Sequence, residues 1–291
     1  MRLLITGGTG LLGRRVAKLT LQRHKVTATY NRSKIEADYP LVSLDITKGE
    51  DVLSLVSELS PDAVIHCAAL TSVDYCEDHK EEAMLVNARA TGYLSEACEK
   101  AGAKMLYVST DFVFDGAKGM YLEEDEVNPI NHYGFSKLEG EKEVLTCSDY
   151  AIARLSVLYG WNVRRRLNFV TWVIDRLEKG KEVNIVTDQY VSPTLADNAA
   201  EAFLRIIERG KKGVFHTAGG ERLNRYDFAR KIAEVFSLKE ELINPITSED
   251  LKQTAMRPMD SSLNVRKAER ELGIKTMTVR EGLERMGEVP R

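Results

Sequence analysis

A short apolar run, Leu3-Leu4-Ile5-Thr6, opens directly into Gly7-Gly8-Thr9-Gly10-Leu11-Leu12-Gly13, and a helical pattern follows. The glycines fit G-x-G-x-x-G from Gly8 and G-x-x-G-x-x-G from Gly7. Glycine permits the tight turn, lets a pyrophosphate approach the backbone, and lets the helix pack close to the strand. The helix N-terminus then offers unpaired N–H groups and a positive dipole end to phosphates. The motif means little alone, but here it occupies the first strand-to-helix turn of a βαβ unit, the context it requires.

The rest of the first two-thirds keeps that rhythm. Strands are expected at Arg2–Thr6, Lys25–Tyr30, Leu41–Leu44, Ala63–Cys67, Lys104–Ser109 and Tyr150–Leu155, and helices at Leu12–Arg23, Asp51–Leu59, Glu81–Ala101 and Gly134–Thr146. Apolar strands alternating with helices imply a parallel sheet buried on both faces, so the fold class is α/β, a Rossmann-type doubly wound sheet. From about Arg164 the pattern changes. Helices at Leu167–Lys179, Ala196–Arg209, Arg225–Phe236 and Val279–Met286 mix with short strands near Val183–Val186 and Gly213–Thr217. This reads as a dinucleotide-binding domain over residues 1–160 and a smaller mixed α/β substrate lobe over 161–291, interleaved with the first.

Composition removes several classes of function. A formal net charge of −3 over 291 residues gives no reason to expect nucleic acid. No stretch approaches the roughly 18 apolar residues of a membrane span. No secretory signal peptide is read, and a cytoplasmic protein is expected. Cys67, Cys76, Cys98 and Cys147 form no C-x-x-C pair and have no His at zinc spacing, so they read as reduced thiols and no metal site is expected.

The type of dinucleotide is read at the end of the second strand. Tyr30-Asn31-Arg32-Ser33 carries no acid there to accept from a ribose 2′-OH, whereas Arg32 suits a 2′-phosphate. NADP(H) is therefore the expected cofactor, with NAD(H) as the alternative. Chemistry is expected where Ser109-Thr110-Asp111 closes a strand and where Tyr133 and Lys137 stand four residues apart on one helical face. Hydride reduction of a ketone develops negative charge on oxygen, which must receive a proton. Tyr133 is suited to supply it, Lys137 to lower the phenol's pKa from about 10, and Thr110 to hydrogen-bond the carbonyl.

Here the chain resembles the extended short-chain dehydrogenase/reductases and, within them, the dTDP-4-dehydrorhamnose reductase family. The likeness rests on Thr6–Gly13, His66-Cys67-Ala68-Ala69, Val73-Asp74, Val86-Asn87-Ala88, Ser109–Gly116, Tyr133–Lys137, Asn168-Phe169-Val170, Asp188-Gln189, Ser192-Pro193-Thr194 and Arg257-Pro258 with Ser261 and Leu263. It implies reduction of the 4-keto group of a nucleotide-linked deoxy sugar, dTDP-4-dehydrorhamnose to dTDP-L-rhamnose, with Thr110, Tyr133 and Lys137 catalytic. Gly7, Gly10, Leu11, Leu12, Asp45, Ile46, Ala68 and Ala69 would line the dinucleotide, with Asp45 near the adenine and with Tyr133 and Lys137 touching the cofactor. Thr71, Asp74 and Asp111 would border the sugar, while Asn168 and Arg257 are candidates for the nucleotide half; Arg164-Arg165-Arg166 could reach the diphosphate or form a solvated loop. A homodimer is expected on analogy alone.

One departure matters. Where reductases of this family tend to carry Trp on the sugar, Arg154-Leu155-Ser156-Val157-Leu158-Tyr159-Gly160 has Val157. Val-Leu-Tyr-Gly and Gly213-Val214-Phe215-His216 are similar to the regulatory beta subunit of methionine adenosyltransferase, which binds NADP and acts through a partner. A non-catalytic subunit of that type, or a related nucleotide-sugar reductase or epimerase, is the alternative function.

Overall fold

Runs of Leu, Ile and Val that cannot face water on either side become central strands, and the amphipathic stretches between them cover those strands. The computed structural model describes residues 1–162 and 167–289. In chain order it begins β1 (Arg2–Thr6), α1 (Leu11–Leu21), β2 (Lys25–Tyr30), β3 (Leu41–Ser43), α2 (Gly49–Leu59) and β4 (Ala63–His66). Next come α3 (Val73–Asp78), α4 (Lys80–Met84), a π-helical turn over Leu85–Arg89, α5 (Ala90–Ala101), β5 (Lys104–Thr110), α6 (His132–Val144) and β6 (Tyr150–Tyr159). These six strands pair in parallel in the order β3-β2-β1-β4-β5-β6. Leu3, Leu4 and Ile5 of β1 are buried, each contributing about 1.5–3 kcal/mol relative to exposure. One sheet face packs on α1 through Val16 and Ala17, and the other on α2 and α5 through Val52, Val56 and Leu94.

The second stretch contains α7 (Phe169–Glu178), β7 (Val183–Val186), β8 (Tyr190–Val191), β9 (Pro193–Leu195), α8 (Ala196–Glu208), β10 (Gly213–His216), β11 (Leu223–Asn224), α9 (Arg225–Val235), β12 (Ile243–Ile246), α10 (Arg266–Leu272) and α11 (Val279–Gly287). Part of it returns to the first sheet. β10 pairs in parallel with β6 and forms the sheet's edge, and α8 places Ala199, Phe203 and Ile206 in the same core as α1. α7, α9, α11, β7 and β12 enclose a separate core around Val173, Ile174, Phe228, Ile232 and Leu283.

Two local departures from the sequence pattern bear on the site. The expected single helix Glu81–Ala101 is interrupted by the π-turn. There the Asn87 side chain bonds the Leu70 backbone and Ser136 instead of facing solvent. β6 runs four residues past Leu155 because it leaves β5 and pairs with β9 across a bulge between Ser156 and Leu158. Val157 sits in that bulge at φ +36°, a conformation that costs a β-branched residue about 1–3 kcal/mol.

Candidate active site

The dinucleotide loop is built by close approach. Gly7 lies at φ +67°, and a Cβ there would fall 2.9 Å from the Ala68 backbone. A Cβ on Gly13 would meet the Gly7 carbonyl at 2.3 Å, so the first turn of α1 sits directly on the loop. Gly10 caps that helix with no side chain, and the first turn carries no acid. The helix end is thus left bare for an anion, and this fits a dinucleotide's pyrophosphate. Leu12 is buried behind the loop and Leu11 half-buried beside it. Ala68 and Ala69 follow β4, and the Ala68 N–H donates to Thr6 Oγ1 at 3.2 Å. Beneath them the buried His66 bridges Thr6 and Thr91, its pKa pushed down to about 3 by burial and by Lys137, so it is neutral.

At the far end of β3, Asp45 accepts from the Thr47 hydroxyl at 2.7 Å and the Thr47 N–H at 3.1 Å. The Thr47 bond chiefly holds its pKa low, with Arg32 adding to the effect. Arg32, which is exposed, and Asp45 therefore stand together at the ends of β2 and β3, with Ile46 buried next to them.

β5 delivers Thr110 and Asp111 to its carboxyl end, and α6 delivers Tyr133 and Lys137 alongside. The helix starts where it does because Asn131 accepts from the Gly134 N–H at 2.8 Å. Gly134 is required by contact: a Cβ there would lie 2.0 Å from the Phe112 carbonyl oxygen. Asn87 clamps the same helix by donating to Ser136 Oγ at 3.0 Å, and Ser136 Oγ donates to the Tyr133 carbonyl at 2.8 Å.

Tyr133 lies edge-on to Phe112, with ring centroids 5.9 Å apart. Burial raises its pKa above the ordinary phenol value; a hydrogen bond with the Thr110 hydroxyl opposes the rise and the Asp111 carboxylate adds to it. The Thr110 hydroxyl donates to Asp111 Oδ1 at 3.0 Å. The group opposing the rise is this hydroxyl, not the Lys137 ammonium that the sequence suggested. Lys137, 2% exposed, donates to the Val108 carbonyl at 2.7 Å and lies 4.0 Å from the Tyr107 ring centroid. Burial pushes its pKa down to about 7, against the upward pull of Glu141 and Cys67. Glu141, one turn beyond, is buried in a bidentate pair with Arg154 at 2.8 and 2.7 Å and accepts from Ser109 Oγ at 2.6 Å.

Asp111 is buried and accepts from Ser156 Oγ at 2.6 Å and Ser261 Oγ at 2.5 Å. Burial raises its pKa against those bonds. Thr71 is exposed. Asp74 and Arg257 meet each other, in a bidentate pair at 2.9 and 2.8 Å, and Asp74 also accepts from the Ala255 N–H. Asn168 caps α7, accepting from the Thr171 N–H and donating to the Gly160 carbonyl at 2.7 Å, which engages both ends of its amide. The Arg164-Arg165-Arg166 run lies outside the described residues. No three His, Cys, Asp or Glu side chains are placed to hold a metal ion among the described residues. None of the described helices is long and apolar enough to cross a membrane.

Sequence reasoning missed Glu141 with Arg154, the clamp made by Asn87, and Arg225. Asn87 lay within a quoted motif. Arg225 left one trace, a cation in the first turn of a helix where the dipole disfavours it.

Comparison with known proteins sets these residues in a lineage. The family model described as the RmlD substrate binding domain matches residues 1–289. A probable low-salt glycan biosynthesis reductase, Agl14, of Haloferax volcanii is 39% identical over 96% of this chain and 95% of its own. Methionine adenosyltransferase 2 subunit beta of Bos taurus is 35% identical over 94% of this chain and 83% of its own. Among solved structures, a hypothetical dTDP-4-dehydrorhamnose reductase from Sulfolobus tokodaii superposes with TM-score 0.88 at 38% identity, covering 97% of this chain and 99% of that one. A dTDP-4-dehydrorhamnose reductase from Bacillus anthracis, in complex with NADP, gives 0.86 at 30% identity, over 99% and 98%.

Proposed function

The chain belongs to the RmlD substrate binding domain family, and on that premise we propose that it reduces the 4-keto group of a nucleotide-linked deoxy sugar with NADP(H), converting dTDP-4-dehydrorhamnose to dTDP-L-rhamnose. The observation carrying this reading is the convergence, at the carboxyl end of β5, of Thr110, of Tyr133 packed edge-on to Phe112, and of the buried Lys137 donating to the Val108 carbonyl. When bound, the nicotinamide supplies the hydride. Thr110 and Tyr133 present two hydroxyls to one carbonyl oxygen, whose growing negative charge they stabilise. The raised pKa of Tyr133 keeps its proton in place until that charge forms, which suits a general acid. Lys137, with a pKa of about 7, is partly ammonium at neutral pH and holds α6 to β5. Asp111, fixed by three hydroxyls, orients Thr110. Arg32 is the residue assigned to a 2′-phosphate, and the bare end of α1 to the pyrophosphate.

NADPH oxidation with dTDP-4-dehydrorhamnose tests the proposal. Turnover is expected in the wild type and a loss of about 10²–10⁴-fold in Tyr133→Phe with NADPH binding retained. Full activity in that variant would remove Tyr133 from the chemistry. A second reading, an NADP-binding subunit that acts through a partner, is favoured by the 35% identity to the adenosyltransferase beta subunit. Stable co-purification with an adenosyltransferase, together with absence of turnover on keto sugars, would select it.

A further inference from the structure

Arg225 opens α9, and its backbone is fixed beside β8. The preceding residue, Asn224, pairs with Tyr190 of β8, and the Arg225 N–H donates to the Gln189 carbonyl at 3.0 Å. On its other side β8 runs beside Met259–Ser261: the Tyr190 N–H donates to the Met259 carbonyl at 2.7 Å, and the Ser261 N–H donates to the Tyr190 carbonyl at 3.0 Å. Ser261 in turn bonds Asp111. Arg225 therefore stands between the catalytic strand end and the Arg257 segment.

The three arginines gathered around β8 are not equivalent. Arg222 holds Asp260 at 2.6 Å and Arg257 holds Asp74 at 2.8 Å. Among the described residues Arg225 forms no ion pair. Its Nε donates to Gln189 Oε1 at 3.2 Å, and its guanidinium carbon lies 5.6 Å from the Phe169 ring centroid. Gln189 is itself fixed, donating to Ser248 Oγ at 2.9 Å. The guanidinium is thus held by its inner nitrogen and an aromatic face, with its two terminal amino groups unengaged among the described residues. Burial lowers its pKa from the ordinary arginine value, Asp111 opposes that shift and Arg257 adds to it. A cation in such surroundings is costly unless a counter-charge reaches it.

We infer that Arg225, rather than the motif residue Arg257, is the residue that binds an anionic group of the nucleotide sugar in this site. Arg257 is committed to Asp74 and serves as a latch between α3 and the Ala255–Met259 segment. Arg225 presents a fork suited to phosphoryl or carboxylate oxygens. The charged group is either the diphosphate or a carboxylate on the hexose. The inference rests on the nucleotide-sugar reading above.

Equilibrium binding to the NADPH-loaded protein separates these outcomes without recourse to turnover. The probes are dTDP, UDP, thymidine, UDP-glucose and UDP-glucuronate, against wild type, Arg225→Gln and Arg225→Lys. If the diphosphate is the anion, Arg225→Gln weakens dTDP or UDP by about ten- to hundredfold and leaves thymidine unchanged. If a hexose carboxylate is the anion, the loss is confined to UDP-glucuronate, with UDP-glucose and dTDP unaffected. Arg225→Lys, which keeps charge without the fork, is expected to fall between. Unchanged NADPH affinity and melting temperature in both variants establish that the fold is intact. Binding of every probe within twofold of wild type in Arg225→Gln would overturn the inference while leaving the nucleotide-sugar reading standing. A wild type that binds no nucleoside diphosphate would overturn both.

Discussion

Lys137 should destabilise the protein that depends on it, and the size of the effect follows from its surroundings. Burial lowers its pKa from 10.5 to about 7, a displacement equivalent to roughly 5 kcal/mol. Between those two pH values the unfolded chain binds a proton that the native one does not, so this group's contribution to stability rises with pH across the window and its full penalty is present below pH 7. Methionine fills a similar volume without charge but leaves the Val108 carbonyl without its donor, a loss of about 1–3 kcal/mol. Lys137→Met is therefore expected to be about 2–4 kcal/mol more stable than wild type at pH 6. By pH 10 less than about 1 kcal/mol of the penalty remains, so the advantage is gone and the variant is less stable by about 0–2 kcal/mol. Urea denaturation of both proteins from pH 6 to 10 reads the difference directly. The wild-type curve alone would mislead, because thiols pull the other way. Burial raises Cys67 to about 12 and Cys76 to about 11, and raises Cys98 and Cys147 as well, so their contribution falls once unfolded thiols ionise. The terms of Cys76, Cys98 and Cys147 are common to both proteins and cancel in the difference. Cys67, whose pKa Lys137 lowers, rises further in the variant and steepens its loss only above the unfolded thiol's pKa. Parallel curves for variant and wild type would refute the reasoning, as would a variant less stable at pH 6.

Three other perturbations have definite expected outcomes. Gly13→Ala forces a Cβ to within 2.3 Å of the Gly7 carbonyl; loop and helix must separate, costing about 1–3 kcal/mol of stability and at least about tenfold in NADPH affinity, read by melting and by fluorescence titration. Glu141→Gln leaves Arg154 buried without its partner and should cost about 3–5 kcal/mol, much of it recovered in Glu141→Met/Arg154→Met, as a urea double-mutant cycle will show. Arg32→Ala should weaken NADPH by about tenfold and leave NADH unchanged; equal losses for both would remove Arg32 from 2′-phosphate recognition.

Much of the molecule was legible from periodicity. The strands through Lys104 begin where their apolar runs begin, because a strand buried on both faces has no freedom to slip. Gly7, Gly10 and Gly13 read correctly as a strand-to-helix loop, since the demands on them are local. What escaped the sequence depends on distant partners. Nothing near Gly213 shows that it pairs with Ala151 in the first sheet. The π-turn at Asn87 exists because Leu70 and Ser136, 17 and 49 residues away, draw its side chain inward. Arg257 and Asp74 each looked like a ligand contact, yet each is the other's counter-ion across 183 residues. Arg225 lay in an unremarkable helix start, and it is the course of β8 that sets it beside the Ser261 segment bonded to Asp111.

The Asp111 carboxylate has a consequence for how the protein is made. Its donors are Thr110 beside it, Ser156 45 residues later and Ser261 150 residues later. A nascent chain can lay down β1 to β6 in order and pair them as they emerge, while this buried acid still lacks its last hydroxyl. The dinucleotide loop, whose outside contacts with Thr29, Tyr39 and Ala68 all lie within the first 68 residues, therefore matures long before the chemistry does. A ribosome-stalled or truncated chain ending before residue 255 should hold cofactor while the Asp111 carboxylate still lacks its Ser261 donor, so ligand capture and activity would appear at different times during synthesis.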